Sequence, residues 1–150
     1  MEKLIMTHPI TRDAIVLAAR TWIGTPYHHQ ASCKGIGADC LGLVRGVWRD
    51  VYGSDAEVPP AYSRDWAEAS GLETMLAGAA RHLTAKDTPV IEPGDVIVFR
   101  LRPATVAKHT AIAATTDTFV HAMEGAASCE VALTAWWRRR IAGVFQFPGV

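Results

Sequence analysis

The sequence lacks long apolar runs and an excess of charge of either sign. Its 150 residues carry 15 basic and 15 acidic side chains, so the composition does not favour binding to the phosphates of a nucleic acid. The longest basic run, residues 138–140, is too short to form a phosphate-binding surface by itself. No apolar stretch approaches the roughly 18 residues that identify a membrane-spanning helix. We therefore expect neither a nucleic acid nor a membrane among the partners of this protein.

The first residues of the sequence are not expected to form a secretory signal. Residues 7–13, Thr-His-Pro-Ile-Thr-Arg-Asp, interrupt the apolar residues on either side of them, whereas a signal peptide needs an apolar core of about 7–15 residues. We expect a protein that is synthesised in the cytoplasm and reaches another compartment only with a partner. Its length suits one domain, which can bury about two-thirds of its unfolded surface without a metal or a cross-link. The sequence thus predicts a single domain over residues 1–150.

Cysteine is scarce. Cys33, Cys40 and Cys129 form an odd set, so at least one thiol stays free whichever bridge forms. A Cys33–Cys40 disulfide is a less favoured alternative. A zinc site that adds His28 and His29 is also less favoured, because adjacent histidines point apart and the spacing of the two cysteines exceeds that of structural zinc sites. We expect no metal and no cofactor.

Amphipathic periodicity predicts helices in the first half of the chain. The first helix begins after Thr11, a residue that commonly caps helices, and extends to Gly24. The second begins at Asp39 and ends at Gly53. Apolar residues of the second helix recur at spacings of three and four and share one face with Cys40. The cysteine should therefore point toward the core.

A third helical region and a set of strands follow. Ser63 is expected to cap the helical region, and Gly71 divides it. Its apolar side comprises Trp66, Ala69, Leu72, Met75, Leu76 and Ala79. Residues with β propensity then predict strands over 95–101, 109–114, 118–123, 131–133 and 141–147. Helices first and strands afterwards predict an α+β domain, with an antiparallel sheet packed on the helix that carries the cysteine.

Cys40 stands in the first turn of the second helix, where a thiol can be activated. Unpaired N–H groups and the positive end of the helix dipole lower the pKa of a thiol there. The same N–H groups could hold the oxyanion of a tetrahedral intermediate. Asp39 should cap the helix, although its charge opposes thiolate formation, so a base must help. The alternative interpretation is that Cys40 is a small apolar residue of the core.

Two histidines on successive strands could supply the base. His109 would accept the thiol proton and His121 would fix the tautomer and orientation of His109. This requires both rings on one face of the hairpin. A two-residue turn at 116–117 would point His121 away from His109, whereas a three-residue loop places both on the same side. We predict the three-residue loop.

The candidate catalytic and binding residues belong to a pattern of five sequence segments. They are Gly24-Thr-Pro-Tyr27, Gly37-Ala-Asp-Cys40-Leu-Gly-Leu43, Pro93-Gly94-Asp95, His109 and His121. In order and spacing this pattern resembles the NlpC/P60 cysteine peptidases, from about residue 11 to residue 148. It is similar in particular to the short forms encoded in phage and gene-transfer-agent tail modules, which also end in a Trp- and Arg-rich stretch like residues 136–143.

The resemblance implies a papain-like α+β fold and hydrolysis of peptidoglycan stem peptides, typically between D-γ-glutamate and the diamino acid. It assigns the nucleophile to Cys40, the base to His109 and the third polar residue to His121. Tyr27 matches a tyrosine whose hydroxyl lies beside the thiol and assists the oxyanion, and Asp39 belongs to the same oxyanion and substrate-binding region. The sequence departs from the family pattern in two places that flank the cleft. Leu41 replaces a common serine, and residues 30–31, Gln-Ala, replace a glycine pair.

The resemblance leaves other functions open. One is a tail or baseplate subunit that binds peptidoglycan or a neighbouring protein with little catalysis. Another is an amidase, transglutaminase or acyltransferase that uses the same cysteine on a different acyl donor. A particle could also deliver an active enzyme to the cell wall, so that phage-like tail proteins are expected partners alongside stem peptides.

Three further residues carry structural expectations. Trp136 and Trp137 cannot face the same side of a strand, so one should pack in the core and the other should be exposed or meet a partner. Asp95 follows Pro-Gly and is expected to be a turn residue that binds its own backbone.

Overall fold

The three longest of the described helices precede the strands of the main sheet. The computed structural model describes residues 9–60, 62, 73–88 and 90–150. Within these ranges the helices are α1 (Arg12–Arg20), α2 (Cys40–Tyr52), α3 (Thr74–His82) and α4 (Ala135–Arg138), and the strands are β1 (Ser32–Cys33), β2 (Gly37–Ala38), β3 (Thr84–Ala85), β4 (Val96–Phe99), β5 (His109–Ala113), β6 (Thr118–His121), β7 (Cys129–Ala132) and β8 (Ile141–Gln146). The predicted α+β class is confirmed. None of these helices is long and apolar enough to cross a membrane.

Strands β3 to β8 form one antiparallel sheet in the order β3-β8-β4-β5-β6-β7. The five predicted strands are all present and differ from the predicted bounds by one or two residues at their ends. Strands β1 and β2 pair as a separate ribbon. The sequence did not predict β1, β2 or β3, because two residues are too few to produce a periodic pattern.

Thr11 caps α1 as predicted. Its hydroxyl accepts a hydrogen bond from the backbone N–H of Ala14 at 3.1 Å. The helix ends at Arg20 rather than Gly24, and residues 21–24 form a turn. Gly24 has a φ of +90°, and its N–H donates to the carbonyl of Ser128 at 2.8 Å. This turn therefore ties α1 to the segment before β7.

Both predicted ends of α2 are confirmed. Asp39 caps its N-terminus, and Gly53 ends it in a left-handed conformation with φ of +89°. Leu43 and Val47 are fully buried. A methyl group on Gly46 would lie 2.0 Å from the Trp22 ring. Only glycine permits this approach, which sets the distance between α2 and the turn after α1.

The predicted third helix is present in part. Helix α3 contains Met75, Leu76 and Ala79 of the expected apolar side, and Met75 is buried. The remaining residues of that prediction lie outside the described residues; these are Ser63, Trp66, Ala69, Gly71 and Leu72.

Asp95 is more than a turn residue. Its carboxylate accepts the backbone N–H of Glu92 at 2.8 Å, as expected. It is also fully buried, with Lys86 at 2.6 Å and Arg12 at 2.8 Å. The expected turn contact is therefore confirmed, and two cations, one of them from α1, also compensate this buried charge. The contacts fasten α1 to the start of β4.

Candidate active site

Cys40 is the first residue of α2 and is half-buried. Its thiol donates a hydrogen bond to the carbonyl of Lys108 at 3.6 Å. The residue borders a cavity of about 110 Å³. The cavity is lined by Tyr27, His29, Asp39, Cys40, Leu41, Tyr62, Met75, Lys108 and Glu124.

The two histidines lie on the same face of the β5–β6 hairpin. Ile112 pairs with Val120, and the loop consists of residues 115–117. This register places residue 121 opposite residue 111, on the side that also carries His109. The Nε2 atom of His109 lies 2.8 Å from the Nδ1 atom of His121. The predicted three-residue loop is confirmed, and it brings the rings into a direct hydrogen bond.

Strand β5 runs beside the thiol at His109. The carbonyl of Lys108 accepts from Cys40, and the backbone N–H of Thr110 hydrogen-bonds to the sulfur. The residues on both sides of His109 thus contact Cys40. When Nε2 of a neutral His109 donates to His121, Nδ1 is the nitrogen with the lone pair. His109 can then act as a base through Nδ1.

Burial keeps both imidazoles neutral. It lowers the pKa of His109 to about 3, with a further contribution from His121, and lowers the pKa of His121 to about 4. Each histidine is about 5% exposed. An imidazole that is neutral at physiological pH can accept a proton without first losing one.

The thiol of Cys40 is protonated in the resting protein. Burial, followed by the charge of Asp39, raises the pKa of this thiol to about 12. Hydrogen bonds from the backbone N–H groups of Thr110, Leu41 and Cys40 act in the opposite direction. The expected lowering at the helix start is therefore outweighed, and that prediction is wrong for the resting state. The thiolate must form by proton transfer as the reaction proceeds.

The carboxylate of Asp39 organises the wall of the cavity. Its Oδ1 atom accepts the N–H of Gly42 at 2.7 Å, which is the predicted helix cap. Its Oδ2 atom accepts the N–H of Gln30 at 2.8 Å and the hydroxyl of Tyr62. Gln30 reaches this position with a φ of +66°, a conformation that glycine adopts more easily.

Tyr62 is a cavity residue that sequence reasoning missed. Its carbonyl accepts hydrogen bonds from the side chains of His29, at 2.8 Å, and Gln30. Burial and the bond to Asp39 raise the pKa of its phenol. Tyr62 follows the Pro59-Pro60 break, and no periodic pattern marks it. Only the folded loops reveal its position.

Tyr27 lies where the resemblance places it, on the lining of the cavity with Cys40. It pairs with Ala38 in an isolated bridge, so the loop before α2 fixes its backbone. His29 also lines the cavity, and His28 is exposed.

The three thiols are free, so the alternative Cys33–Cys40 bridge is absent. Within the described ranges, no group of three or more His, Cys, Asp or Glu side chains is placed to hold a metal ion.

A second cavity of about 250 Å³ adjoins the first. Leu41, Tyr62 and Met75 line both. The surface of the larger cavity is mostly apolar, and its lining comes from α2, α3, β4 and the segment between α2 and Tyr62. Leu41, at the position where the family pattern has serine, therefore contributes an apolar wall to the site.

Known proteins are similar to this chain in sequence. The sequence pattern of the NlpC/P60 family matches residues 24–146. The chain is 26% identical over 148 residues to gamma-DL-glutamyl hydrolase of Bacillus subtilis (strain 168), covering 97% of this chain and 32% of that protein. The chain thus spans about a third of the length of this curated relative.

Two solved structures resemble the fold. The NlpC/p60 domain of peptidoglycan hydrolase SagA is 22% identical with a TM-score of 0.63, covering 92% of this chain and 100% of that one. An NlpC/P60 family protein from Bacillus cereus ATCC 10987 is 17% identical with a TM-score of 0.67, covering 93% of this chain and 41% of that one. At these identities the likeness concerns the fold.

Proposed function

The chain belongs to the NlpC/P60 family, and from this premise we propose that it is a cysteine peptidase that hydrolyses amide bonds in peptidoglycan stem peptides. The observation that carries the proposal is a thiol at the start of α2 beside a hydrogen-bonded pair of neutral imidazoles. We assign Cys40 as nucleophile, His109 as base and His121 as the residue that orients His109. The named activity of the Bacillus subtilis relative supports a γ-glutamyl bond as the target.

In the proposed reaction, Nδ1 of His109 takes the proton of Cys40 as the sulfur attacks the carbonyl carbon. The electron pair of the carbonyl moves to its oxygen, where N–H groups at the start of α2 and the hydroxyl of Tyr27 stabilise the negative charge. His109, now an imidazolium, keeps its Nε2–H donated to His121. It then gives its Nδ1 proton to the leaving nitrogen, so that an amine departs and a thioester remains.

Water completes the cycle. His109 accepts a proton from the attacking water, the second tetrahedral intermediate releases the carboxylic acid, and the proton returns to the sulfur. No metal or cofactor takes part in this proposal. Because the thiolate exists only as the carbonyl is attacked, the resting thiol is protected from other electrophiles.

We propose further that the protein acts with a phage-like tail particle, as the Trp- and Arg-rich stretch 136–143 suggests by resemblance. Trp136 is 44% exposed, and the guanidinium of Arg140 lies 3.6 Å from the centre of its ring. This surface is available for a partner. Co-sedimentation of the protein with particles tests the association, and its absence from purified particles would contradict it.

Mass spectrometry of muropeptides tests the enzymatic proposal. Incubation with the protein should produce cleavage within the stem peptide, and Cys40→Ala should abolish it. Cys129→Ala is the matched control, because Cys129 is also half-buried but lies on β7. Unchanged cleavage by a folded Cys40→Ala variant would falsify the nucleophile assignment.

The same products separate the alternative activities. Release of the whole stem from the glycan would indicate an amidase, and coupling of an added amine to the acyl fragment would indicate a transferase. Binding to cell walls without any product would favour a tail or baseplate subunit.

A further inference from the structure

An aromatic side chain outside both cavities packs against both imidazoles. The ring centre of Trp137 lies 5.8 Å from that of His109 with the planes tilted by 32°, and 5.5 Å from that of His121 with the planes at 89°. Phe99 and Phe119 complete the surroundings at 4.9 and 5.1 Å from Trp137. Among the described aromatic side chains outside the pair, Trp137 alone is in ring contact with both histidines.

The hydrogen bond between the histidines does not fix their rings by itself. Rotation about the terminal torsion of histidine has broad minima, so one bond leaves each ring free to tilt. The two ring planes meet at 79°. Trp137 is tilted by 32° to the plane of His109 and stands perpendicular to His121, and its contact with both rings restricts their tilt.

Trp137 also covers one side of the two imidazole rings. It is half-buried, and its neighbour Trp136, at 4.9 Å between ring centres, is exposed. The indole of Trp137 therefore stands between the buried histidines and the surface formed by α4. Burial is the first cause of the lowered pKa of each histidine.

We propose that Trp137 is a positioning residue that holds His109 and His121 in their hydrogen-bonded arrangement and keeps water from the pair. This inference rests on the proposed function, since it explains how the base is aimed at Cys40. Trp137 does not line either cavity described above. Its removal should therefore lower kcat and leave KM within about twofold, because misplacing a reacting group affects the chemical step.

Substitution of two adjacent tryptophans tests the inference. Trp137→Leu removes the indole, and Trp137→Phe keeps a smaller aromatic face. Trp136→Leu is the matched control for turnover of soluble muropeptides, a reaction that does not involve the tail-particle surface proposed for Trp136. Trp136 lies on the same helix but contacts Trp137 and Arg140 rather than the imidazoles. We expect kcat to fall between about tenfold and about 100-fold in Trp137→Leu, less in Trp137→Phe, and little in Trp136→Leu.

Nuclear magnetic resonance of the histidine rings gives a second readout that needs no substrate. In the unaltered protein the rings of His109 and His121 should not titrate between pH 5 and pH 7. In Trp137→Leu the titration midpoints should rise by about one pH unit, and the proton shared by the rings should exchange faster. If Trp137→Leu does not fold, Trp137→Phe carries the test with smaller effects.

Ring titrations and kcat that stay unchanged in a folded Trp137 variant overturn the inference, as do equal effects in Trp136→Leu. The two proposals remain separable. If the protein cleaves no stem peptide, the ring titrations still decide the role of Trp137, and if it cleaves them with normal titrations in Trp137→Leu, only the positioning role fails.

Discussion

His109 and His121 are joined by a hydrogen bond of 2.8 Å between Nε2 and Nδ1. The roles of the two nitrogens depend on the tautomer. In the reaction proposed above, His109 offers its lone pair at Nδ1, so its proton lies on Nε2 and His121 is the acceptor. The essential property of residue 121 is therefore an acceptor atom at this position, and an imidazole is one way to provide it.

Substitutions of His121 should show whether this residue accepts a hydrogen bond from His109 or only fills space beside it. His121→Leu removes the acceptor, and we expect kcat to fall by about 100-fold, within the range of general acid–base effects. His121→Gln keeps a carbonyl oxygen and should recover part of this loss. Steady-state kinetics on muropeptides measures both variants, with circular dichroism to verify folding. Equal activity of the Leu and Gln variants would contradict the acceptor role.

Asp39→Asn should make Cys40 more reactive toward alkylating agents. The charge of Asp39 is the second cause of the raised thiol pKa, whereas asparagine keeps an oxygen that can cap α2. Removing the charge should lower this pKa, and each unit of lowering increases the thiolate about tenfold in the range below the pKa. The rate of reaction with iodoacetamide from pH 7 to pH 10 measures the effect.

The alkylation experiment needs a defined background. Cys33→Ser and Cys129→Ser leave Cys40 as the only thiol. Asp13→Asn is the control, because Asp13 is an exposed carboxylate in the first turn of α1. If Cys40 is alkylated no faster in Asp39→Asn than in this control, the charge of Asp39 does not raise the pKa of the thiol.

Acid should destabilise the protein through its buried histidines. In the unfolded chain a histidine binds a proton near pH 6.5, whereas the folded pKa values are about 3 and about 4. The unfolded state binds more protons between these values, so the free energy of unfolding decreases as pH falls below about 6.5. Each histidine should contribute up to about 1.4 kcal/mol per pH unit.

Urea unfolding at pH 7, 6 and 5 measures this slope. His121→Gln should show a smaller loss over the same interval, because one buried imidazole has been removed. A stability that is constant from pH 7 to pH 5 in the unaltered protein would argue that the histidines are not buried as described.

Alanine substitutions at two helical glycines should change the free energy of unfolding in opposite directions. Gly46→Ala places a methyl group 2.0 Å from the Trp22 ring, and we expect a loss of about 1–3 kcal/mol in the free energy of unfolding. Gly78→Ala in α3 meets only the end of the Arg81 side chain at 3.5 Å. There the better helix propensity of alanine should stabilise the protein by about 0.5–1 kcal/mol. Thermal and urea unfolding compare the two, and similar effects would refute the packing argument.

The elements that the sequence predicted well have local signals. Thr11, Asp39 and Gly53 each act through their own backbone neighbourhood, so the starts of two helices and the end of one could be predicted. The relation of His109 to His121 followed from strand alternation and the length of one loop. Strand alternation and loop length were therefore sufficient to predict that His109 and His121 lie side by side.

The features that could not be predicted depend on contacts between distant segments. The hydroxyl of Tyr62 meets Asp39 across 23 residues of chain, and Trp137 reaches His109 from another element. The pKa of Cys40 is set first by burial, which helix position alone does not reveal. These properties arise from packing.

The loop of residues 115–117 connects β5 to β6, the two strands that carry His109 and His121. Thr116 and Asp117 are exposed, so their identities are open to change. Their number matters more, because any change that shifted the pairing of β6 with β5 by one residue would move His121 to the opposite face of the sheet from His109. Such a shift would separate the two imidazoles that we propose to act together, although it would change neither of them.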